Sequence, residues 1–222
     1  KAPYVIALDS ASNGLFISLM YEKEFGNWDN FNQKIEMPCR TYMSAVCEVI
    51  NAGGMVAFKE VNSKTLKGAY KLNPTRVIDS ALRFTSNMYE PNTFMCISFT
   101  GAYKHFKLGK GGAVLTDNKH FYEWAKKYRN SGRGECSYHV DKFNQLGINA
   151  YMMPDIATRG LVLFNQFYDS QGNSKHNEDL ELPYPDLSKF DIYNQKSEIH
   201  KLYEENKRLK QKLSKYEDSN SR

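Results

Sequence analysis

Residues 96–117 read CISFTGAYKHFKLGKGGAVLTD, from Cys96 to Asp117. Two short apolar runs, Met95-Cys96-Ile97-Ser98-Phe99 and Gly112-Ala113-Val114-Leu115-Thr116, bracket a polar stretch. Each run is too short for a helix and apolar enough for a buried strand. Lys104 lies between them, just ahead of Gly109-Lys110-Gly111-Gly112. Glycine has no Cβ, so this loop lets backbone come close to a ligand. The segment reads as a strand, a lysine-bearing loop and a second strand.

The same texture continues on both sides. Residues 4–8, 54–58 and 76–78 are short β-rich runs, whereas 13–21, 44–52, 118–130 and 154–167 have helical character. Asp117 stands where the third of these helices needs an N-cap. Alternating strands and helices predict an α/β domain with a mainly parallel sheet over residues 1–167. Residues 168–194 are polar, turn-rich and interrupted by Pro183 and Pro185, so they read as a linker whose aromatics Tyr184, Phe190 and Tyr193 can dock on the body. In 195–222, Ile199, Leu202, Asn206, Leu209, Leu213 and Tyr216 follow an a/d heptad spacing. That seam fits a two-stranded coiled coil, with Asn206 at an a position, and equally a single amphipathic helix.

Composition narrows the function classes. The 222 residues are 41% hydrophobic and 14% aromatic, enough for a proper core. The net charge of +5 is mostly a tail property: residues 195–222 hold eight Lys or Arg against five Asp or Glu, leaving +2 for the body. Such a body gives no reason to expect a nucleic-acid surface. No apolar run reaches the length of a membrane span. Cys39, Cys47, Cys96 and Cys136 have no CxxC pairing or histidine at metal-ligand spacing, and read as reduced, mostly buried thiols of a cytoplasmic protein.

Three features bear chemistry. Lys104 sits in the glycine-flanked loop. Asp79 ends the run Arg76-Val77-Ile78, at a strand's carboxyl end, the edge where open α/β sheets bind ligands. Asp9-Ser10-Ala11-Ser12-Asn13-Gly14 joins the first strand to a helix and offers N–H groups and hydroxyls to a phosphate. A carboxylate, a lysine and a phosphate cup are what a pyridoxal-phosphate site requires. Each also has a plainer reading: Asp79 as a helix cap, Lys104 as a solvated cation, Tyr42 as an ordinary core aromatic.

Residues 96–117 resemble the cofactor-lysine segment of the DegT/DnrJ/EryC1/StrS sugar aminotransferases, a Ser-Phe, a lysine, then Gly-x-Gly-Gly and a strand ending Thr-Asp. Lys104 precedes Gly109 at the family's spacing. Asp9-Ser10-Ala11-Ser12-Asn13-Gly14-Leu15 resembles its phosphate turn, Pro38-Cys39-Arg40-Thr41-Tyr42 its ring-stacking segment, and Ile78-Asp79-Ser80-Ala81 its segment pairing with the pyridine nitrogen. Arg129-Asn130-Ser131-Gly132-Arg133, Gly147-Ile148-Asn149 with Met152, Asp155-Ile156-Ala157 and Gly160-Leu161 follow in the family's order. The chain's length and the run Tyr184-Pro185-Asp186-Leu187-Ser188-Lys189-Phe190 resemble reduced, phage-carried members, which would place it in a host cytoplasm.

The resemblance implies a three-layer α/β sandwich, the large domain of the aspartate-aminotransferase-like class. It implies pyridoxal 5'-phosphate on Lys104, Asp79 at the pyridine nitrogen, Tyr42 stacked on the ring, and the phosphate held by Ala11 and Ser12 backbone with Ser98. It implies transfer of an amino group from an amino acid donor to a keto nucleotide-sugar, in a homodimer. The departures are Ser98 one residue further from Lys104 than usual, Leu82 for a Gln or His, Lys110 for an acid, and Tyr151 for an arginine. The segment before Ile78 is short, and the small domain that helps close the site has no counterpart in the sequence. Those departures favour a rival expectation, a binding or scaffold protein that kept the fold and lost turnover.

Overall fold

The computed structural model describes residues 1–29, 33–167, 178–193, 202 and 204–213. The decisive segment folds as read: β7 (Phe94–Ser98) and β8 (Gly112–Thr116) are adjacent antiparallel strands joined by the Lys104 loop. The preceding elements are β1 (Tyr4–Leu8), α1 (Ala11–Phe25), β2 (Lys34–Pro38), α2 (Met43–Asn51), β3 (Met55–Lys59), β4 (Thr65–Lys67), β5 (Tyr70–Lys71) and β6 (Val77–Asp79). After β8 come α3 (Lys119–Tyr128), α4 (Pro154–Phe167) and β9 (Glu181–Pro183), then two short 3-10 turns, Leu187–Lys189 and Asp191–Tyr193.

The main sheet has the order β1-β8-β7-β6-β5. A bridge between Glu36 and Asn73 extends it to the parallel pair β2–β3. The α/β layering holds, while the strand directions are more mixed than the expected mainly parallel sheet. Parallel neighbours need a crossover of a dozen or more residues. The chain has one between β2 and β3, through α2, and a long connection between β6 and β7, and both pairs are parallel. Only residues 72–76 join β5 to β6, so that pair is an antiparallel hairpin. The Lys104 loop likewise returns directly, making β8 antiparallel to β7.

Three layers result. One sheet face packs Ile6, Leu8, Phe94, Cys96 and Val114 against α1, α2 and α3. The other packs Ile97, Phe99 and Ala113 against Phe167 of α4. Strands buried on both faces read as continuous apolar runs, and this is why β6 and β7 were legible. The helix α1 is buried on several sides, from Gly14 to Glu22, because it lies between the sheet and two further helices. A Cβ on Gly14 would meet Leu8 and Cys96 at ordinary contact range and a Val114 methyl at 3.1 Å, so glycine here lets α1 lie close on the sheet. The α3 cap differs by one residue from expectation: Asn118 Oδ1 accepts the Phe121 N–H at 2.9 Å, and Asp117 instead accepts the Asn92 N–H at 3.0 Å.

Cys39 and Cys96 are buried, Cys47 half-buried and Cys136 exposed, all as free thiols. Among the described residues no helix is long and apolar enough to cross a membrane. The described part of the tail, 202 and 204–213, is helical, with Leu202, Leu209 and Leu213 exposed. Asn206 of the expected seam lies on this stretch and is exposed, while Ile199 and Tyr216 lie outside the described residues.

Candidate active site

Asp79 ends β6 and is only 6% exposed. A buried carboxylate needs donors, and both of its oxygens have one. Oδ1 accepts the Ala81 N–H at 2.9 Å and Oδ2 accepts the Tyr70 hydroxyl at 2.9 Å. Burial pushes the Asp79 carboxyl up, while the Ala81 N–H, the Tyr70 hydroxyl and the charge of Lys104 pull it down.

Lys104 is 5% exposed, whereas Lys107 and Lys110 on the same loop are exposed. The loop is pinned on both sides of it. Phe106 and Leu108 are buried in the second core, the Leu108 N–H returns to the Phe99 carbonyl at 3.0 Å, and the Phe99 N–H reaches the Gly111 carbonyl at 3.0 Å. Lys104 Nζ donates to the Ala81 carbonyl and stands 5.4 Å from the Tyr103 ring centroid. Burial brings its ammonium down to about 8, against the opposing pull of Asp79. A lysine tuned this way holds a substantial neutral, nucleophilic fraction near physiological pH.

The turn after β1 is built from its own polar residues. Ser10 caps α1: its hydroxyl accepts the Asn13 N–H at 3.2 Å and donates to Asp9 at 3.0 Å, and Asn13 Nδ2 donates to Asp9 at 2.7 Å. Ser12 Oγ donates to Ser44 Oγ at 2.9 Å, linking the first turns of α1 and α2. Helix N-termini are anion sites by virtue of their unpaired N–H groups and dipole. A Cβ on Gly112 would run into the Ala11 nitrogen and the Ile97 carbonyl, so glycine there lets the start of α1 rest directly on the sheet. Ser98 lies opposite Gly112 in register, and its hydroxyl accepts the Thr100 N–H at 3.3 Å. Ala11 and Ser98 thus both lie against Gly112, with Ser12 following Ala11 in the first turn of α1. Later landmarks converge here too: Ser131 and Ala150 N–H groups pair with the Ile148 and Arg129 carbonyls, and the Asp9 N–H reaches the Ala150 carbonyl at 3.0 Å. Beside this turn opens a cavity of about 220 Å³, lined by Asp9, Lys110, Asn149, Tyr151 and Met152 among others.

Tyr42 caps the start of α2 by its backbone and is half exposed, with its ring 6.3 Å from Tyr184 at 62°. It is therefore not a core aromatic. Leu82, at the place where the resembled family carries a Gln or His, is buried.

Three neighbours of the site were not among the expected residues. Tyr70 and Thr41 reach Asp79 as a hydroxyl pair, Thr41 Oγ1 standing 2.7 Å from Tyr70 Oη. Tyr184 has Tyr103, Asp79 and Tyr42 around it, and burial pushes its phenol up. It belongs to a strap, residues 178–193, that fills the described part of the expected linker. The Leu180 N–H bonds Leu82 O at 2.8 Å, β9 pairs with β4, and Arg83 grips Asp179 with Nε at 3.0 Å and Nη2 at 2.9 Å. Arg40 donates to the Tyr184 carbonyl at 2.9 Å, and buried Leu187 joins the main core. The alternating aromatics were visible in the sequence, but their partner strand β4 was too short and polar to be read.

The donor set fits pyridoxal phosphate. A buried carboxylate with both oxygens oriented suits a pyridinium N–H, a buried amine of lowered basicity suits its aldehyde, and two adjoining helix starts suit its phosphate. The Ser80 hydroxyl, buried next to Asp79, has no hydrogen-bond partner among the described residues, which leaves a donor ready for a further acceptor.

The sequence matches no protein-family model and no curated protein. Solved structures do share its fold. A putative PLP-dependent aminotransferase from Bacillus cereus superposes with a TM-score of 0.61 at 17% identity, over 74% of this chain and 54% of that one. AtS13 from Actinomadura melliaura gives 0.59 at 15%, over 74% and 56%. The Helicobacter pylori aminotransferase PseC, of pseudaminic acid biosynthesis, gives 0.57 at 15%, over 74% and 54%. The chain has the fold of these aminotransferases and spans about half the length of each.

Proposed function

We propose that the protein is a PLP-dependent aminotransferase that takes an amino group from an amino acid, glutamate in the first instance, and delivers it to a keto nucleotide-sugar. The observation that carries this reading is the pairing of a buried lysine of lowered basicity with a buried, doubly hydrogen-bonded carboxylate through one residue, Ala81. The shared fold and the ordered motifs support it.

Bound pyridoxal phosphate would supply an aldehyde for amines and a ring that accepts electrons. Lys104 Nζ would hold the cofactor at rest and, when free, would take the proton from the donor's Cα and deliver a proton to the acceptor carbon. Asp79 would keep the pyridine nitrogen protonated by its negative charge. Tyr42 would stack on the ring, and Ala11 and Ser12 N–H groups, with the Ser98 hydroxyl, would take the phosphate. The strap 178–193 brings Tyr184 beside Tyr42 and Asp79 and would help keep water from the carboxylate. A homodimer, built on the body and on pairing of 195–222, is part of the same proposal.

The half-reaction with glutamate tests it without knowledge of the sugar. Cofactor-loaded protein should release 2-oxoglutarate in an amount equal to the protein, and Lys104→Ala should release none. Equal yields from both, or none above free pyridoxal phosphate, would refute the proposed activity.

A further inference from the structure

The hairpin β5–β6 places Tyr70 directly opposite Asp79 in register. The Tyr70 hydroxyl donates to Asp79 Oδ2 at 2.9 Å, and Thr41 Oγ1 stands 2.7 Å behind it. A phenol has one proton, and this one goes to Asp79, so the Thr41 hydroxyl must be the donor in the second bond. Thr41 is 1% exposed, so water does not compete for that bond. The three groups form one directed chain, Thr41 to Tyr70 to Asp79, running from the residue before Tyr42 to the carboxylate.

We infer that Tyr70, backed by Thr41, is the positioning residue that holds Asp79 ionised and fixes the direction of its free lone pairs. The inference rests on the proposed role of Asp79 but concerns this chain's own residues. It follows from the short turn at residues 72–76. A hairpin strand stands beside β6, and its side chain, not one from a crossover strand, meets the carboxylate. Burial and the Asp79 charge both push the Tyr70 phenol well above its ordinary value, so it stays a donor throughout the working range.

The other groups around Asp79 act elsewhere on it: the Ala81 N–H bonds Oδ1, and Lys104, whose charge also favours the ionised carboxyl, places its Nζ hydrogen bond on the Ala81 carbonyl, so Tyr70 is the donor that holds Oδ2. Tyr184 faces Asp79 from the strap, and Cys96, paired with Asp79 in register on β7, is a neutral thiol pushed far up by burial. Hydrogen bonds that favour the charged form of a carboxyl lower its pKa, so losing one must raise it.

The test is the carboxyl titration of Asp79 in cofactor-free protein, by carbon NMR of labelled aspartate assigned with Asp79→Asn. Tyr70→Phe should raise that titration by about one pH unit, the size of a lost hydrogen bond to a charged group. In loaded protein, the acid limit of cofactor retention should move up by the same amount. Thr41→Val, which breaks only the outer link, should raise it by a smaller, measurable step and stands as the arbiter if Tyr70→Phe does not fold. An unchanged Asp79 titration in the folded variant would overturn the inference and leave Tyr70 a packing residue. If the wild type fails to retain pyridoxal phosphate at all, the proposed function falls, while the cofactor-free titration still decides Tyr70.

Discussion

Lys104 and Asp79 are tied to the same residue: Lys104 Nζ donates to the Ala81 carbonyl, and the Ala81 N–H donates to Asp79 Oδ1 at 2.9 Å. One peptide segment sets the positions of an amine from the β7–β8 loop and a carboxylate from the end of β6. Moving either group therefore disturbs the other.

That coupling predicts how Lys104 reacts. Its ammonium titrates at about 8 in the folded protein, with burial lowering it and Asp79 raising it. Labelling of Lys104 by a small amine-reactive reagent should rise with a midpoint near pH 8. In Asp79→Asn the midpoint should fall further, since the raising charge is gone. A midpoint for Lys104 at the ordinary lysine value of about 10.4 would contradict the burial argument.

The sign for stability follows from the same group. A lysine whose folded value is depressed binds fewer protons folded than unfolded between the two values. Its contribution disfavours folding below about pH 8 and is relieved as pH rises toward the unfolded lysine's value. Lys104→Met should stabilise the cofactor-free protein most at or below pH 8, with the gain shrinking as pH rises above it. The measurement is the urea midpoint at several pH values.

Asp79→Asn separates chemistry from folding. The amide keeps the shape but cannot supply a negative charge at the ring nitrogen, so amino transfer should fall by about a hundredfold or more. Melting temperature should stay near native. Undiminished transfer would make Asp79 a structural cap.

Leu187 tests whether the strap belongs to the fold. It is 2% exposed and joins the main core. Leu187→Ala should cost about 2–4 kcal/mol, as truncations of buried leucines do. A denaturation midpoint within error of wild type would mean that residues 178–193 detach without consequence.

The tail offers a test of assembly. Leu202, Leu209 and Leu213 lie exposed on one helical stretch, and the sequence spacing adds Asn206 to their seam. Barely three heptads pair weakly alone and better when a dimeric body holds them together. The intact chain should run as a dimer that a version ending at Tyr193 weakens. Equal masses for the two would leave the tail a solitary helix.

Much of the body was legible because its strands are buried on both faces, so β6, β7 and β8 stand out as unbroken apolar runs. Sheet direction was not, because it depends on whether a connection is long enough to cross over, and the turn at 72–76 is hidden between two weak strands. Lys104 and Asp79 could be singled out by position in the pattern. Tyr70, Thr41 and Tyr184 could not, since their roles arise from register and from a strap packed more than a hundred residues away from β2. Leu187 reads as a lone apolar residue in a polar stretch until the core it completes is known.

The most direct measurement is borohydride reduction of the protein mixed with pyridoxal phosphate, followed by peptide mass mapping. The protein should turn yellow, lose its visible absorbance on reduction and carry one cofactor, on Lys104. A colourless mixture, or a label on Lys107 or Lys110 with Lys104 untouched, would contradict this assignment.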